Sequence, residues 1–251
     1  MSYLEACILG VIQGITEFFP VSSSGHLLIT RNIFNINTFD LVIEISLHLG
    51  TLMAICIYWK DYYLDEINKF IDGDRRTFIT IFIGSLPAGF IGLLYKEQIQ
   101  EYFFNINSIS YLIPIYFIMF CLILSSKYFH ENKRNEIYYL DAFIIGLAQS
   151  IAILPGFSRS GMTIIVALFL GISFKKSFRF SFLLSIPILI FAGLQLFIYD
   201  YSIFISDSKL TLTLILGALV SMISGYFILI FLEKIIDKNK FWYFSFYCLL
   251  I

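Results

Sequence analysis

The chain has 251 residues, of which 59% are hydrophobic and 14% are charged, and its formal net charge is −1. Soluble domains carry about 25% charged residues, and the mean hydropathy of +0.83 leaves too little polar surface to coat a soluble globule. The composition therefore predicts a polytopic membrane protein in contact with membrane lipids. Continuous apolar segments of about 20 residues favour helices over a β-barrel.

The composition also argues against nucleic acid as a partner and against disulfides or metal sites built from cysteine. The near-zero net charge and the absence of a basic tract argue against nucleic acid as a partner. The four cysteines are scattered through apolar segments without Cys-x-x-Cys spacing. We interpret them as buried small hydrophobes rather than as a disulfide framework or a metal site.

The first apolar segment, residues 1–35, is broken by a polar loop at residues 21–25 that follows Pro20. Neither of its two runs reaches the roughly 20 residues that a transmembrane helix requires. The pattern predicts a re-entrant helical hairpin, whose loop must pack inside protein or line a wet cavity. Full spans are predicted next at about 41–59, 77–95 and 109–126.

The broken pattern recurs at residues 138–173, with its loop at 155–161. Predicted spans follow at about 178–199 and 210–232, and a last, short span begins at residue 241. A shift of 136 positions superimposes identical residues of the two halves: Gly10 on Gly146, Gln13 on Gln149, Ile15 on Ile151, Ser22 on Ser158, Ser24 on Ser160 and Gly25 on Gly161. We interpret the chain as one all-α membrane domain of two repeats, about 1–130 and about 137–251. Each repeat has one re-entrant hairpin and three transmembrane helices.

The distribution of lysine and arginine predicts the orientation of these repeats. Positive residues concentrate in alternate loops: four in 60–76 and three each in 127–137, 174–179 and 233–240, against one each in 96–108 and 200–209. Positive loops face the cytoplasm, so the first hairpin enters from outside and the second from inside. Three spans per repeat is an odd number, which inverts the two halves and lets their loops meet near the mid-plane.

The first loop carries the chemistry of a nucleophile and a base. Gln13 and Glu17 are four residues apart and share a helix face, and an ionisable group at membrane depth indicates function. The stretch Ser22–His26 adds three hydroxyls and an imidazole, which can act as nucleophile, base or ligand beside Glu17. Alternatively, Glu17 caps a turn or pairs with Arg159 for packing, and the serines satisfy backbone carbonyls.

The second loop carries the chemistry of anion binding. Arg159 stands between two serines and before Gly161. Its guanidinium is always charged and offers a planar donor fork that suits phosphate oxygens. The following helix offers its positive N-terminus. An ion pair with Glu17 is compatible with this role, because the carboxylate would hold Arg159 until substrate arrives.

Three other polar residues are open to more than one interpretation. Glu44 and His48 are four residues apart in a predicted span, and they either line the cavity or bond to each other or to a neighbouring helix. Asp141 opens the second hairpin, and we interpret it as a helix N-cap.

Both loops resemble the signature motifs of the bacitracin-resistance type undecaprenyl-diphosphate phosphatases. The motifs are Gln13-x-x-x-Glu17-Phe-x-Pro-Val-Ser-Ser-Ser-Gly-His26 and Pro155-Gly-x-Ser-Arg-Ser-Gly-x-Thr163. The segments Phe39-Asp40, 48–51 and 141–149 are similar to that family as well, so the resemblance covers nearly the whole chain. Two features depart from the family pattern. Gln13 stands where the family also accepts glutamate, which weakens a two-carboxylate metal site, and the C-terminal span is short.

The resemblance implies a multi-pass enzyme of the bacterial cytoplasmic membrane with its active site toward the outer face. Such an enzyme hydrolyses undecaprenyl diphosphate to undecaprenyl phosphate and phosphate with Mg²⁺ or Ca²⁺, and so recycles the lipid carrier of cell-wall synthesis. The implied catalytic set is Glu17, which also ligates or orients the cation, Ser23, His26 and Arg159. The implied diphosphate-binding set is Gln13, Ser22, Ser24, Ser158, Ser160 and Thr163.

The order of chemical events stays open at the level of sequence. We expect Ser23 to be the nucleophile, with His26 as base and then acid. Direct attack by His26 or by a metal-bound water is the competing assignment.

Other functions and the assembly state are weighed against this one. A secondary transporter fits the inverted repeats but leaves the nucleophile, imidazole and arginine unexplained. A type-2 phosphatidic acid phosphatase would need a histidine after Ser158-Arg159, and none follows. A structural subunit gives no reason for Arg159 or His26. The oligomeric state is open, and a homodimer is compatible with the sequence.

Overall fold

The computed structural model describes residues 1–36, 41–103, 110–129, 133–199, 208–236 and 240–251. Across these ranges the chain is α-helical, without a β-strand, and a single isolated bridge joins Arg134 and Ile172. The predicted all-α class is confirmed. The segment Phe39-Asp40 and parts of four loops used for the charge count lie outside the described residues.

The two broken segments are pairs of short helices. The first pair is α1 (Tyr3–Thr16) and α2 (Ser23–Ile33), and the second is α8 (Tyr139–Ile151) and α9 (Arg159–Phe169). At 1.5 Å per residue each helix is about 16–21 Å long, which is shorter than the roughly 30 Å hydrocarbon core of a bilayer. Their lengths support the predicted re-entrant hairpins.

Within the described ranges, four helices are long and apolar enough to cross a membrane. They are α3 (Leu41–Tyr58), α5 (Arg76–Leu94), α10 (Phe174–Tyr199) and α11 (Ser208–Ile236). These four match predicted spans.

The span predicted at 109–126 is shorter than expected. Its helix, α7 (Leu112–Ser125), has 14 residues and continues into a 3₁₀ turn at Ser126–Tyr128. Pro114 lies in the first turn of α7, where the missing N–H of proline removes no helical hydrogen bond. Proline thus favours a helix start close to this point.

The remaining described helices are short: α4 (Lys60–Ile71), α6 (Lys96–Phe103) and α12 (Phe244–Leu250), which follows a 3₁₀ turn at Phe241–Tyr243.

The first helix of each short pair packs against a long helix of the other half. Helix α1 packs against α11, and α8 packs against α5. A Cβ atom at Gly10 would lie 2.6 Å from the carbonyl oxygen of Gly217, and one at Gly146 would lie 2.3 Å from that of Gly84. Small residues allow such close approach of helices in membranes. This pairing is reciprocal, as two repeats require, while their inverted orientation stays a prediction.

Three of the lysine- and arginine-rich loops meet at one end of the molecule. Lys69, Arg76 and Lys176 line one polar cleft of about 240 Å³. Glu136, from the loop before α8, also lines it and accepts a hydrogen bond from Arg76 Nη2 at 3.1 Å. Three of the four loops that are predicted to face the cytoplasm therefore lie at the same end of the fold.

Two smaller predictions are corrected. Asp141 is not the N-cap of α8, because Tyr138 occupies that position and its N–H donates to the Asp141 carboxylate at 2.8 Å. Cys248 is buried, but Cys56 and Cys121 are exposed on the helical surface. Lipid tails are as apolar as a protein core, so little drives a cysteine inward. All four cysteines are free thiols, as predicted.

Candidate active site

A serine caps the second helix of each short pair. Ser22 Oγ accepts a hydrogen bond from Gly25 N at 3.3 Å at the start of α2, and Ser158 Oγ accepts one from Gly161 N at 3.1 Å at the start of α9. With these caps, both helices begin inside the predicted loops, α2 at Ser23 and α9 at Arg159. The N-terminus of each helix is a positive site that favours an anion.

Hydrogen bonds between the two loops hold these N-termini together. Gly156 N donates to Ser22 Oγ at 3.0 Å, and the hydroxyls of Ser158 and Ser160 donate to the Phe19 carbonyl oxygen at 3.4 and 3.3 Å. Ser22 has a φ of 64°, which is uncommon for a residue other than glycine and typical of constrained functional sites. The two hairpins are thus locked loop to loop.

Glu17 is the hub of the polar cluster that this locking creates. Its Oε1 accepts a hydrogen bond from Arg159 Nη2 at 2.5 Å. Its Oε2 accepts from Ser23 Oγ at 2.7 Å and from Gln13 Nε2 at 3.0 Å. The side chains of Glu17 and Arg159 are 5% and 17% exposed. The ion pair expected between the two loops is present, and it gathers four of the predicted site residues.

The polar pair of α3 joins the same cluster. His48 Nδ1 lies 2.8 Å from Gln13 Nε2 and 3.2 Å from Glu17 Oε2. His48 Nε2 lies 3.7 Å from Glu44 Oε1. Of the interpretations open at the level of sequence, the structure supports two: His48 bonds to Gln13 on the neighbouring helix α1, and the pair lines the cavity at the site.

A cavity of about 160 Å³ lies over this cluster. Its polar lining comes from both hairpins and from α3: Glu17, Ser22, Ser23, Ser24, Glu44, His48, Gln149, Ser158 and Arg159. Ala88 and Leu189 add apolar walls from the middle of α5 and α10. Since the cavity lies beside the central turns of long helices, it is near the middle of the membrane-spanning region.

The imidazole of His26 bonds to groups other than the hydroxyl of Ser23, for which it is the expected base. Its Nδ1–H donates to the Ser22 carbonyl oxygen at 2.7 Å, and Tyr116 Oη lies 3.1 Å from Nδ1. Its Nε2 lies 2.8 Å from Tyr247 Oη, which donates because a carbonyl already fixes the proton on Nδ1. Both ring nitrogens are therefore engaged, while Ser23 Oγ faces the Glu17 carboxylate.

Two further predicted binding residues lie behind the cavity. Thr163 is fully buried, and its Oγ1 lies 2.8 Å from the Arg159 carbonyl oxygen and 2.7 Å from Ser181 Oγ. Ser160 Oγ lies 3.2 Å from Ser158 Oγ. In this position the two residues support the turn that carries Arg159.

The donor set does not form a resident divalent-cation site. Both Glu17 oxygens accept hydrogen bonds, and Glu44 Oε2 is the carboxylate oxygen of this cluster that is buried with no partner in the described part of the chain. No group of three His, Cys, Asp or Glu side chains that could hold a metal occurs among the described residues. Mg²⁺ and Ca²⁺ need about six oxygen ligands, so a cation bound here would take most of them from its substrate.

An apolar cavity of about 230 Å³ adjoins the site between α3, α5 and α10. The two cavities share Glu44 and His48 in their linings. The apolar cavity extends to Leu41, at the end of α3 opposite the lysine-rich cleft, and to Ile99 of α6. It therefore connects the polar cluster with the far end of the molecule.

A larger cavity of about 590 Å³ lies elsewhere, between α1, α11 and α12. Its lining is mainly aromatic and aliphatic, contains no carboxylate, and touches the site region through Tyr247, the partner of His26. The candidate site is therefore chosen by the polar side chains that line the smaller cavity and not by cavity volume.

The fold and the cavity define an integral membrane protein in which two broken helix pairs enclose a polar cavity. The chain belongs to the family described as Bacitracin resistance protein BacA, whose model matches residues 6–251. It is 35% identical to the undecaprenyl-diphosphatase of Halothermothrix orenii over 260 residues, which cover 100% of this chain and 96% of that protein. It is 38% identical to the undecaprenyl-diphosphatase of Treponema denticola over 98% of this chain and 94% of that protein. The corresponding protein of Methanococcus vannielii is 34% identical over 98% and 96% of the two chains.

The ion pair between Glu17 and Arg159 predicts a non-additive stability cycle. Glu17→Gln or Arg159→Gln alone leaves a buried charge without its partner, which costs about 3–5 kcal/mol. The double variant removes both charges, and we expect it to lose clearly less stability than the sum of the single losses. Denaturant unfolding of the detergent-solubilised protein measures the cycle. Additive losses would contradict the pairing.

Proposed function

We propose that this protein hydrolyses undecaprenyl diphosphate to undecaprenyl phosphate and inorganic phosphate, and so recycles the lipid carrier of cell-wall synthesis. One observation carries the proposal: a buried carboxylate, Glu17, binds both a phosphate-type arginine, Arg159, and a serine hydroxyl, Ser23, where two helix N-termini converge. The names of the relatives support a hydrolase rather than the transporter considered above.

The terminal phosphate is bound by positive groups that already face the cavity. Arg159 exchanges part of its bond with Glu17 for charge-assisted bonds to phosphate oxygens. The N-termini of α2 and α9 add further attraction for the anion. When Arg159 bonds to the phosphate, Glu17 loses a positively charged hydrogen-bond donor, so its carboxylate accepts a proton more readily.

Ser23 is our proposed nucleophile, and Glu17 is its base. Ser23 Oγ attacks the terminal phosphorus while its proton passes to Glu17 Oε2, 2.7 Å away. The bond from phosphorus to the bridging oxygen breaks, and undecaprenyl phosphate leaves with that electron pair and takes up the proton that Glu17 carries. Water then attacks the phosphoserine and gives a proton to the freed Glu17 carboxylate. The bond from phosphorus to Ser23 Oγ breaks, Glu17 returns the proton to Ser23 Oγ, and phosphate departs.

This assignment changes the role expected of His26. Because its nitrogens bond to the Ser22 carbonyl and to Tyr247, we propose that His26 holds the turn before Ser23 in place. Direct attack by His26 is the competing assignment.

A divalent cation enters, in this proposal, as a complex with the diphosphate. The cation would neutralise charge on the phosphate oxygens, and Glu44, which lines the cavity, offers Oε2, a carboxylate oxygen without a hydrogen-bond partner in the described part of the chain. Mg²⁺ and Ca²⁺ both fit this role, because the substrate supplies most of the ligands.

The prenyl chain lies in the apolar cavity between α3, α5 and α10 in this proposal. That cavity reaches Leu41, at the end of the fold opposite Lys69 and Arg76. If the lysine-rich end is cytoplasmic, the lipid enters from the outer side of the bacterial cytoplasmic membrane. The polar cluster lies within one chain, so the reaction needs no second copy, and a homodimer is compatible with it.

The central test is phosphate release from a long-chain prenyl diphosphate in detergent. We expect the wild type to release phosphate with Mg²⁺ or Ca²⁺ and to stop when the cation is chelated. Glu17→Ala, Ser23→Ala and Arg159→Ala should each lower kcat/KM at least about 100-fold, since each removes a group that acts on the transition state. Ser85→Ala is the matched control, because Ser85 Oγ bonds to its own helix at Ile81.

Two results would overturn the proposal. Retained activity in Arg159→Ala would contradict its phosphate-binding role. A wild type that releases no phosphate, yet moves a solute across liposomes, would favour the transporter.

The identity of the nucleophile predicts the chemistry of a trapped intermediate. Acid quenching during turnover of substrate labelled in its terminal phosphate should leave acid-stable label on the protein, because a phosphoserine survives acid. The label should be lost in Ser23→Ala. Acid-labile label would instead assign the attack to His26, and the absence of label under single-turnover conditions would assign it to water.

The position of the prenyl chain predicts a length-dependent effect at Gly89. A Cβ there meets nothing within 4 Å, and Gly89 lines the apolar cavity. Gly89→Leu should raise KM roughly 10-fold for a long-chain diphosphate, because it fills space that the chain occupies, and should leave a three-isoprene substrate nearly unchanged. Equal effects on both substrates would place the chain elsewhere. Gly89→Ala serves as the control of the same backbone with little added volume.

A further inference from the structure

Gln149 is a buried polar side chain whose amide makes no hydrogen bond to the described residues. It lies in α8, is 2% exposed, and lines the site cavity. Neither its amide nitrogen nor its amide oxygen has a hydrogen-bond partner within the described ranges of the chain. A buried polar group left unpaired costs about 1–3 kcal/mol, and such groups are uncommon in native proteins.

The repeat explains why this amide has no partner in the described part of the chain. Gln13, the residue at the equivalent position in the first half, uses its Nε2 to bind Glu17 and His48. A shift of 136 positions places Ile153 where the first half has Glu17. Since the second half lacks that carboxylate, the amide of Gln149 faces the cavity with its donors unused.

A neutral amide suits the electrostatics of this cavity. Glu17 and Glu44 already bring two carboxylates to the lining, opposite an anionic substrate. A third carboxylate at position 149 would repel a diphosphate further, whereas an amide adds two donors without adding charge. An unpaired amide is also less costly to bury than an unpaired charge.

We propose that Gln149 is a substrate-binding residue, whose Nε2 donates to a non-bridging oxygen of the diphosphate. The inference rests on the proposed function of this site as a diphosphate site. Binding of substrate would then satisfy an amide that the free protein leaves unpaired. Gln149 thus extends the binding set from the second hairpin beyond Ser158 and Arg159.

Gln149→Met tests the proposal, because methionine has a similar length and no hydrogen-bonding amide. Free protein should unfold at the wild-type temperature or higher, since no protein bond is lost. KM for a long-chain prenyl diphosphate should rise roughly 10-fold or more, the loss expected for a hydrogen bond to a charged group. Inorganic pyrophosphate with Mg²⁺ should raise the melting temperature of the wild type and not that of the variant.

Two glutamines serve as controls for the same substitution. Gln13→Met should lower the melting temperature of the free protein, because Gln13 bonds to Glu17 and His48. Gln98 lies on the exposed surface of α6, so Gln98→Met should change neither stability nor KM.

A second variant at the same position, Gln149→Glu, is nearly isosteric and covers the case in which Gln149→Met does not fold. It should weaken the pyrophosphate effect by repulsion.

The outcomes separate this inference from the function on which it rests. A wild type that neither releases phosphate nor responds to pyrophosphate overturns the diphosphate site itself. An active wild type with an equally active, equally pyrophosphate-responsive Gln149→Met overturns only the inference. A variant that melts lower and keeps the wild-type KM assigns Gln149 a structural role and also overturns it.

Discussion

The buried ion pair between Glu17 and Arg159 is the interaction on which the rest of the site depends. A single charge at this depth costs several kcal/mol, and a partner with good geometry offsets that cost. The two charges come from different hairpins, so neither hairpin can bury its charge alone. The bonds of Ser22 with Gly156, and of Ser158 with Phe19, keep the two loops at the separation that the pair requires.

The groups that stabilise the free protein are the ones that act on the diphosphate in the proposed mechanism. Arg159 neutralises Glu17 until an anion takes its place, and Ser23 already directs its hydroxyl to that carboxylate. Gln13 holds the other side of Glu17 and is itself bonded to His48, which fixes the orientation of the carboxylate. In the proposed mechanism, the reacting groups are thus positioned before substrate binds, and little reorganisation is required at the moment of reaction.

The two halves share a pattern but contribute different chemistry. Position 23 carries a serine where the second half has Arg159, and Glu17 corresponds to Ile153. One half therefore supplies carboxylate and hydroxyl, and the other supplies guanidinium and amide. Identical halves would bring two carboxylates or two arginines together, and like charges in a low-dielectric site repel strongly. The division of roles follows from that electrostatic constraint.

The sequence by itself determined the helical membrane class, the two broken segments and the four long apolar helices of the described part of the chain, and it offered the pairing of Glu17 with Arg159 as one interpretation, which the structure confirmed. These follow from local hydrophobic length and from the rule that a charge within a membrane needs a partner. Only the tertiary structure decided that His48 faces Glu17, that His26 bonds to Tyr247 and that the Gln149 amide has no hydrogen-bond partner among the described residues. Spacing along a helix defines which residues share a face, but what that face contacts depends on helices distant in sequence. Three-dimensional packing therefore selects the functional side chains among the polar residues that the sequence offers.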